Sequence, residues 1–309
     1  MKYLLVIAMV FLQCTKKENI VSIPIAYAGG DSGLGHMLKI EGIVSGVKTV
    51  LIFDTGIGIN LISKELCLEL GCSIDGTTKG KRMTGQEVSV PMSTVESFEI
   101  AELKALNVKT GVLDFESFLP KDPEFENIGG YLSLNFFAEH PFTIDYTSKK
   151  MIFETKEGLA HRFSNGVVVP VVKKVENGAL TLQVLVQTAL EEPLRMQLDL
   201  GTDILTLNNA HEKEFEKWIV GKKVQSEVIE DETGFERKRK FVQLTGNISL
   251  LAEHSPQQLN PTVMFQDIIY DGVIGNDFFK ERVVTYDLAN SRIIIATVQD
   301  VGEQDHRSK

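Results

Sequence analysis

The chain has 309 residues, 43% hydrophobic and 24% charged, with Gly 25 and Pro 9. This composition excludes a collagen-like, disulfide-stapled or wholly disordered chain and leaves room for one large domain or two of about 150 residues. Lys+Arg 32 against Asp+Glu 42 gives a net charge of −10, so no nucleic-acid partner is expected, because phosphate binding needs clustered positive charge.

In chain order, Lys2 is followed by the apolar run Tyr3 to Leu12 and then by Gln13 and Cys14. The run is too short to span a bilayer but has the length of a signal-peptide core. With a cysteine directly after it, the segment 1–14 resembles a bacterial lipoprotein signal, although Gln13 stands where a small residue is usual. That resemblance implies an exported protein of the cell envelope, lipidated at Cys14 and held to the membrane by that anchor. Two other readings stay open: ordinary secretory cleavage after Ala26-Tyr27-Ala28, and a buried N-terminal strand of a protein that is not exported. No later run approaches 18 apolar residues, so no membrane-spanning helix is expected in the body.

The rest of the chain reads mostly as strands. Alternating or continuous apolar runs bounded by turn residues predict strands over Met37 to Ile43, Thr49 to Phe53, Glu87 to Val95 and Ala105 to Leu113. Further strands are predicted over Leu180 to Val186, Leu194 to Leu198, Arg239 to Leu244 and Asn247 to Leu251. Helices are few: Ser63 to Leu70, with a serine cap and Gly71 after it, Ala210 to Ile219, and short helical turns after Asn135 and Asn276. Three cysteines cannot make a disulfide scaffold, and no HxxxH or CxxC spacing suggests a metal. Cys67 and Cys72 fall near the end of one short helix, where a bridge is awkward, and are read as core residues.

The sequence repeats itself. Val50-Leu-Ile-Phe-Asp54-Thr-Gly is similar to Arg195-Met-Gln-Leu-Asp199-Leu-Gly, and Gly130-Tyr-Leu-Ser-Leu-Asn-Phe-Phe137 to Gly272-Val-Ile-Gly-Asn-Asp-Phe-Phe279. Each unit continues into a strand ending in an aspartate, Asp145 or Asp287, at nearly the same spacing, and closes on Met151-Ile-Phe153 or Ile293-Ile-Ile295. Ile23-Pro24-Ile25 likewise matches Val169-Pro170-Val171. The expected organisation is two related lobes, 20–157 and 166–298, joined near Glu157 to Gly166, where the pattern breaks. A polar, disordered tail is expected over 302–309.

Asp54 and Asp199 each end an apolar strand and are followed by X-Gly. One such motif is ordinarily a turn stabilised by local hydrogen bonds. Two of them on related lobes facing across a pseudo-twofold axis would meet. Two carboxylates at about 3 Å share one proton, so one can deprotonate a water while the other donates to a carbonyl oxygen.

Phe53-Asp54-Thr55-Gly56, with Gly130-Tyr131-Leu132 and Gly272-Val273-Ile274-Gly275, resembles the retropepsin-like aspartic proteases (clan AA), closest to bacterial members with two lobes in one chain. The likeness runs over Ile20 to Val298. It implies a mostly β fold of two homologous retropepsin/pepsin-like lobes of the closed barrel type, with few short helices. It also implies an aspartic endopeptidase that acts as a monomer on a peptide or protein substrate, with no cofactor, since water and two carboxylates suffice. Asp54 and Asp199 become catalytic, Thr55 and Gly56 brace and turn the first loop, and Gly201 turns the second. Leu200 replaces the second bracing threonine, so the bond between the loops is half made, and Thr202 is expected to bring a hydroxyl to Asp199. Ile57 and Ser133 also depart from the family pattern.

The resemblance further implies hairpin flaps over the cleft, at Lys81 to Val88 with the turn Thr84-Gly85-Gln86, and at 232–236 with Thr233, Gly234 and Phe235. The basic run Arg237-Lys238-Arg239-Lys240 reads as a solvated face, or as a surface for acidic substrate side chains or anionic lipid. Asp145 and Asp287 are assigned to turns, and no histidine receives a role. The departures at Leu200, Ile57 and Ser133 favour a second reading, a weak or inactive descendant that binds peptides or a protein partner. A third reading is an envelope protein using the fold as bulk.

Overall fold

The computed structural model describes residues 20–29, 36–117, 119–231 and 233–297. The lipidation candidate Cys14, the signal segment 1–14, the tail 302–309 and Glu232 lie outside the described residues. Within them the protein is mostly β, in sheets of six, eight and ten strands.

The eight-stranded sheet is built from the first half of the chain. Its centre runs Met37–Val44, Val47–Phe53, Ile128–Leu132, Leu61–Ser63, Leu103–Leu113, Glu87–Ile100. A further pairing of Ile43 with Glu99 and Val44 with Phe98 folds it back on itself. The ten-stranded sheet is built from the second half, and its centre repeats the plan with Ala179–Gln187, Leu194–Leu198, Gly272–Ile274, Leu205–Asn208, Thr262–Gln266 and Glu236–Leu244. Alternation explains the two faces. In Ala179–Gln187 every second residue is buried, and Leu180, Leu182, Val184 and Val186 enter the core.

The six-stranded sheet takes strands from both halves, in the order Val21–Pro24, Lys150–Phe153, Phe142–Asp145, Arg282–Asp287, Arg292–Thr297, Val167–Pro170. The order reads alike outward from its central pair. There Phe142 opposes and stacks on Tyr286 with centroids 4.7 Å apart, and the hydroxyls of the opposed Thr143 and Thr285 lie 2.6 Å apart. Asp145 accepts the Thr147 and Ser148 N–H groups, and Asp287 pairs with Arg292 at 2.7 Å. Both aspartates therefore serve local turns.

Two sequence expectations need correction, and the join between the halves has a structure that the sequence reading left open. The predicted helix Ala210 to Ile219 is a helix of only four residues, Glu212–Phe215, between two 3-10 turns. The join near Glu157 to Gly166, where the repeat pattern breaks, is formed by a helix, Lys156–Asn165, capped by Thr155. It buries no residue, so it carries no apolar stripe to be read. Cys67 and Cys72, read as separate core residues, form a disulfide with Cα atoms 5.3 Å apart. After the helix Lys64–Glu69 the chain reverses at Gly71 (φ 63°), with Gly71 N–H donating to Leu68 O and Cys72 N–H to Cys67 O. This Schellman closure sets the residue after the reversal against the third residue from the helix end, within bridging range.

Candidate active site

The dyad is built by backbone pairing. Val47–Phe53 runs parallel to Ile128–Leu132, and Asp54 N–H extends that ladder to Leu132 O at 3.0 Å. Leu194–Leu198 runs parallel to Gly272–Ile274, and Asp199 N–H donates to Ile274 O at 3.0 Å. Each aspartate therefore leaves its sheet at the same point.

The turn that follows aims each carboxyl. Gly56 N–H donates to Asp54 Oδ1 at 2.7 Å and Gly201 N–H to Asp199 Oδ1 at 2.9 Å. The two loops are in contact: a Cβ added at Gly201 would stand 2.7 Å from Asp54 Oδ2 and 3.1 Å from Asp199 Oδ1. A Cβ at Gly56 would stand 2.3 Å from Asp199 Oδ2. Only glycine leaves that space open, and the two carboxyls interact across it.

Burial and proximity perturb both carboxyls. Burial, then the neighbouring charge of Asp199, holds the Asp54 carboxyl well above the usual carboxylate range, against the pull of the Gly56 and Ile57 N–H groups. Burial also raises Asp199, while the Gly201 N–H and the hydrogen bond from Asp54 lower it. Both carboxyls are thus pushed up side by side, and the pair holds a single proton between them. Both residues keep part of their surface open to solvent, as a reaction site requires. Two phenols stand nearby: Tyr131 is raised by burial and then by the charge of Asp54, and Tyr270 by burial and then by Asp199.

The brace between the loops is one-sided. Thr55, fully buried, donates its hydroxyl to Leu198 O at 3.0 Å and accepts from Leu200 N–H at 2.9 Å. Leu200 returns no hydroxyl and instead packs in the main apolar core. Thr202 departs from expectation. No hydrogen bond joins its hydroxyl to Asp199 among the described residues, and it supports the loop through its carbonyl, which accepts Asn276 N–H at 2.9 Å. Gly275 is required there, since a Cβ would meet Thr202 O at 2.1 Å. In the first half Ser133 occupies the like position, where its N–H (2.9 Å) and hydroxyl (3.0 Å) both bond Asn60 Oδ1.

Two positioning residues were not singled out from sequence. The Asn135 amide donates to Gly58 O at 2.9 Å and to Gly178 O at 2.8 Å, and the Asn276 amide to Leu200 O at 2.7 Å and to His36 O at 3.0 Å. Each ties the two halves beside the dyad. His36, given no role from sequence, also crosses between halves, with Nδ1 2.6 Å from Asp203 Oδ2.

The hairpins fall where expected and meet. Gly76–Lys81 pairs with Glu87–Ile100 through a turn in which Arg82 N–H donates to Gln86 O and Gly85 N–H to Arg82 O. Ile219–Glu230 pairs with Glu236–Leu244 through a turn in which Asp231 N–H donates to Phe235 O and Gly234 N–H to Asp231 O. Gly85 and Gly234 have φ of 85° and 80°, which glycine takes without strain. Arg82 reaches Asp231 at 3.0 Å, the Gln86 amide reaches the Thr233 hydroxyl at 2.8 Å, and Ile269 N–H donates to Met83 O at 2.8 Å. Phe235 is exposed at the second tip.

Comparison with known proteins agrees with this architecture. Residues 40–136 match the aspartyl protease family. No curated protein sequence matches the chain. Among solved structures, conglutin gamma, a basic 7S globulin from lupine seeds, is 12% identical with a TM-score of 0.57, over 93% of this chain and 97% of that one. Basic 7S globulin from soybean is 10% identical with a TM-score of 0.54, over 90% and 94%. At such identities the likeness speaks for the fold alone. The chain is mostly β with few short helices, consistent with a pepsin-like fold, and over residues 40–136 its sequence is similar to the aspartyl protease family.

Proposed function

We propose that this chain is an aspartic endopeptidase of two lobes, 20–157 and 166–298, whose dyad Asp54 and Asp199 hydrolyses peptide bonds. The observation that carries this reading is the pair of carboxyls held by matched turns on loops in contact, both pushed up by burial. Ionised Asp199 takes a proton from the bound water as the oxygen attacks the peptide carbon, and Asp54 donates its proton to the carbonyl oxygen. The resulting gem-diol collapses with a proton passed to the leaving nitrogen, so that the C–N bond breaks and the dyad regains its single proton. Thr55, Gly56 and Gly201 hold the geometry, and Thr84, Gly85, Gln86, Thr233, Gly234 and Phe235 cover the cleft. The test is cleavage of a peptide library by the wild type, Asp54→Asn and Asp199→Asn. Both variants should lose turnover, and unchanged hydrolysis in either would remove the claim.

We further propose export, with Cys14 as the lipid anchor. A disulfide at Cys67 suits an oxidising compartment. Cleavage after Ala28 would remove Val21–Pro24 and Ala26–Ala28, which are paired into two sheets, and this favours the earlier site. A second reading, a peptide-binding protein of low turnover, is favoured by the one-sided brace at Leu200 and by the bonded hairpin tips. Tight binding of a statine peptide without cleavage of any library member would select it.

A further inference from the structure

The two hairpin turns carry the same hydrogen bonds, so their residues correspond one to one: Arg82 with Asp231, Thr84 with Thr233, Gly85 with Gly234. Continuing along the returning strands, Val88 corresponds to Arg237 and Val90 to Arg239. Exposure follows the same alternation. Val88, Val90, Arg237 and Arg239 are half-buried, whereas Ser89 and Lys238 between them are exposed. The inward face of hairpin one is apolar and that of hairpin two is cationic.

What these faces meet differs in the same sense. Val90 packs against the buried cluster that holds Leu61 and Tyr131, as do Leu113 and Ile57 and Ile59 of the Asp54 loop. In the second half Leu61 corresponds to Thr206, since Leu61 opposes Tyr131 as Thr206 opposes Val273. Leu113 likewise corresponds to Gln266, by the parallel pairings of Ser63 with Leu113 and Asn208 with Gln266. Arg239 Nε donates to Gln266 Oε1 at 3.1 Å, and Glu227 lies 3.6 Å from its guanidinium. Two polar atoms of this wall are buried with no partner among the described residues: Gln266 Nε2, on a residue 1% exposed, and Arg237 Nε. Both are donors. A buried donor without an acceptor is costly, and an acceptor-rich anion would remove the cost.

Resting on the endopeptidase reading, we propose that the cleft takes an apolar residue on its first-half side of the scissile bond and an aspartate or glutamate on its second-half side, where Arg237, Arg239 and Gln266 receive the carboxylate. The basic run is thereby divided: Arg237 and Arg239 face the substrate, while Lys238 faces solvent and Lys240 pairs with Glu212.

The test uses the full chain and hydroxyethylene-centred hexapeptides that differ only in carrying Glu, Gln or Lys on one side or the other of the central hydroxyl. Binding is measured by calorimetry near pH 6. On one side of the hydroxyl, Glu should bind about tenfold tighter than Gln, with Lys weakest. Arg237→Gln should bring the Glu-to-Gln ratio toward one, and Arg237→Lys should keep most of it. Equal binding of Glu and Gln at both positions, or a ratio untouched by Arg237→Gln and Arg239→Gln alike, would overturn the carboxylate subsite alone. No binding of any probe together with no cleavage would overturn the endopeptidase reading and this inference with it.

Discussion

The Thr55 hydroxyl is the strongest lever on the site that leaves the carboxyls untouched. Thr55→Val is nearly isosteric, so it opens no cavity; what it removes is one hydroxyl that serves two backbone groups, Leu198 O at 3.0 Å and Leu200 N at 2.9 Å. Thr55 is fully buried, and water cannot take the hydroxyl's place. Two buried backbone groups left unsatisfied at about 1–3 kcal/mol each make the expected loss about 2–6 kcal/mol, a large share of the roughly 5–15 kcal/mol that folded proteins possess. Urea unfolding reads this as a lower midpoint at unchanged slope. Turnover should fall further than stability alone requires, because the bond sets the spacing of the loops, and a displacement of about 1 Å costs on the order of a hundredfold in rate. Thr55→Ser keeps the hydroxyl and drops one methyl, for about 1 kcal/mol. If Thr55→Val costs no more than Thr55→Ser, the brace is not what holds the loops.

Asp54→Asn should gain stability over the wild type as pH rises. The folded carboxyl holds its proton to well above the unfolded value near 3.9, so the wild type is favoured below about pH 4 and loses stability as pH climbs through the folded value, whereas asparagine stays neutral. Melting temperatures at pH 4 and pH 7 check this, and a variant that gains nothing between them speaks against a protonated Asp54. Gly56→Ala should fold yet lose turnover, because its Cβ would press on the Asp199 carboxyl, a side chain that can move, at 2.3 Å; retained activity would mean the loops are farther apart. Gly275→Ala meets backbone, Thr202 O at 2.1 Å, and should cost stability in a thermal melt as well as activity. Reducing Cys67–Cys72, a bridge of sequence separation 5, should cost about 2 kcal/mol by the chain-entropy relation, read by denaturant unfolding with and without reductant.

The parts legible in the sequence are those with a local cause. Ser63 caps its helix by accepting Leu66 N–H, as a serine before an apolar run predicts. Gly85 and Gly234 mark turns because only a positive φ closes them so tightly. The Asp54 strand announces itself by the unbroken apolar run Val50 to Phe53, and the Asp199 strand by the alternation of Leu194, Met196 and Leu198 with polar residues. What escaped reading has a non-local cause or no apolar signal. Gly76–Lys81 is a hairpin strand held by its partner rather than by burial, and Ile219–Glu230 is recognised through its pairing with Glu236–Leu244. The helix Lys156–Asn165 is held by Thr155 and by Arg162 pairing with Glu154 at 3.0 Å, with nothing buried. Cys72 meets Cys67 only through the reversal at Gly71. Asn135 and Asn276 reach carbonyls in the opposite half, and no spacing rule anticipates that.

Corresponding positions that touch across the two halves explain why one chain can do what a symmetric pair cannot. In an isologous dimer every residue at the axis meets its own copy. Thr143 and Thr285 tolerate this, because a hydroxyl both donates and accepts. Asp54 and Asp199 tolerate it by sharing a proton. The hairpin tips would not, since a basic residue at the first turn position of both halves would set like charges together. In this chain that position is Arg82 on one side and Asp231 on the other, 3.0 Å apart. The same freedom lets Leu200 give up its hydroxyl for core packing while Thr55 keeps the brace, and lets Val90 be answered by Arg239. Complementary tips and unlike walls have one physical origin: a site whose halves are separately encoded need not be compatible with itself.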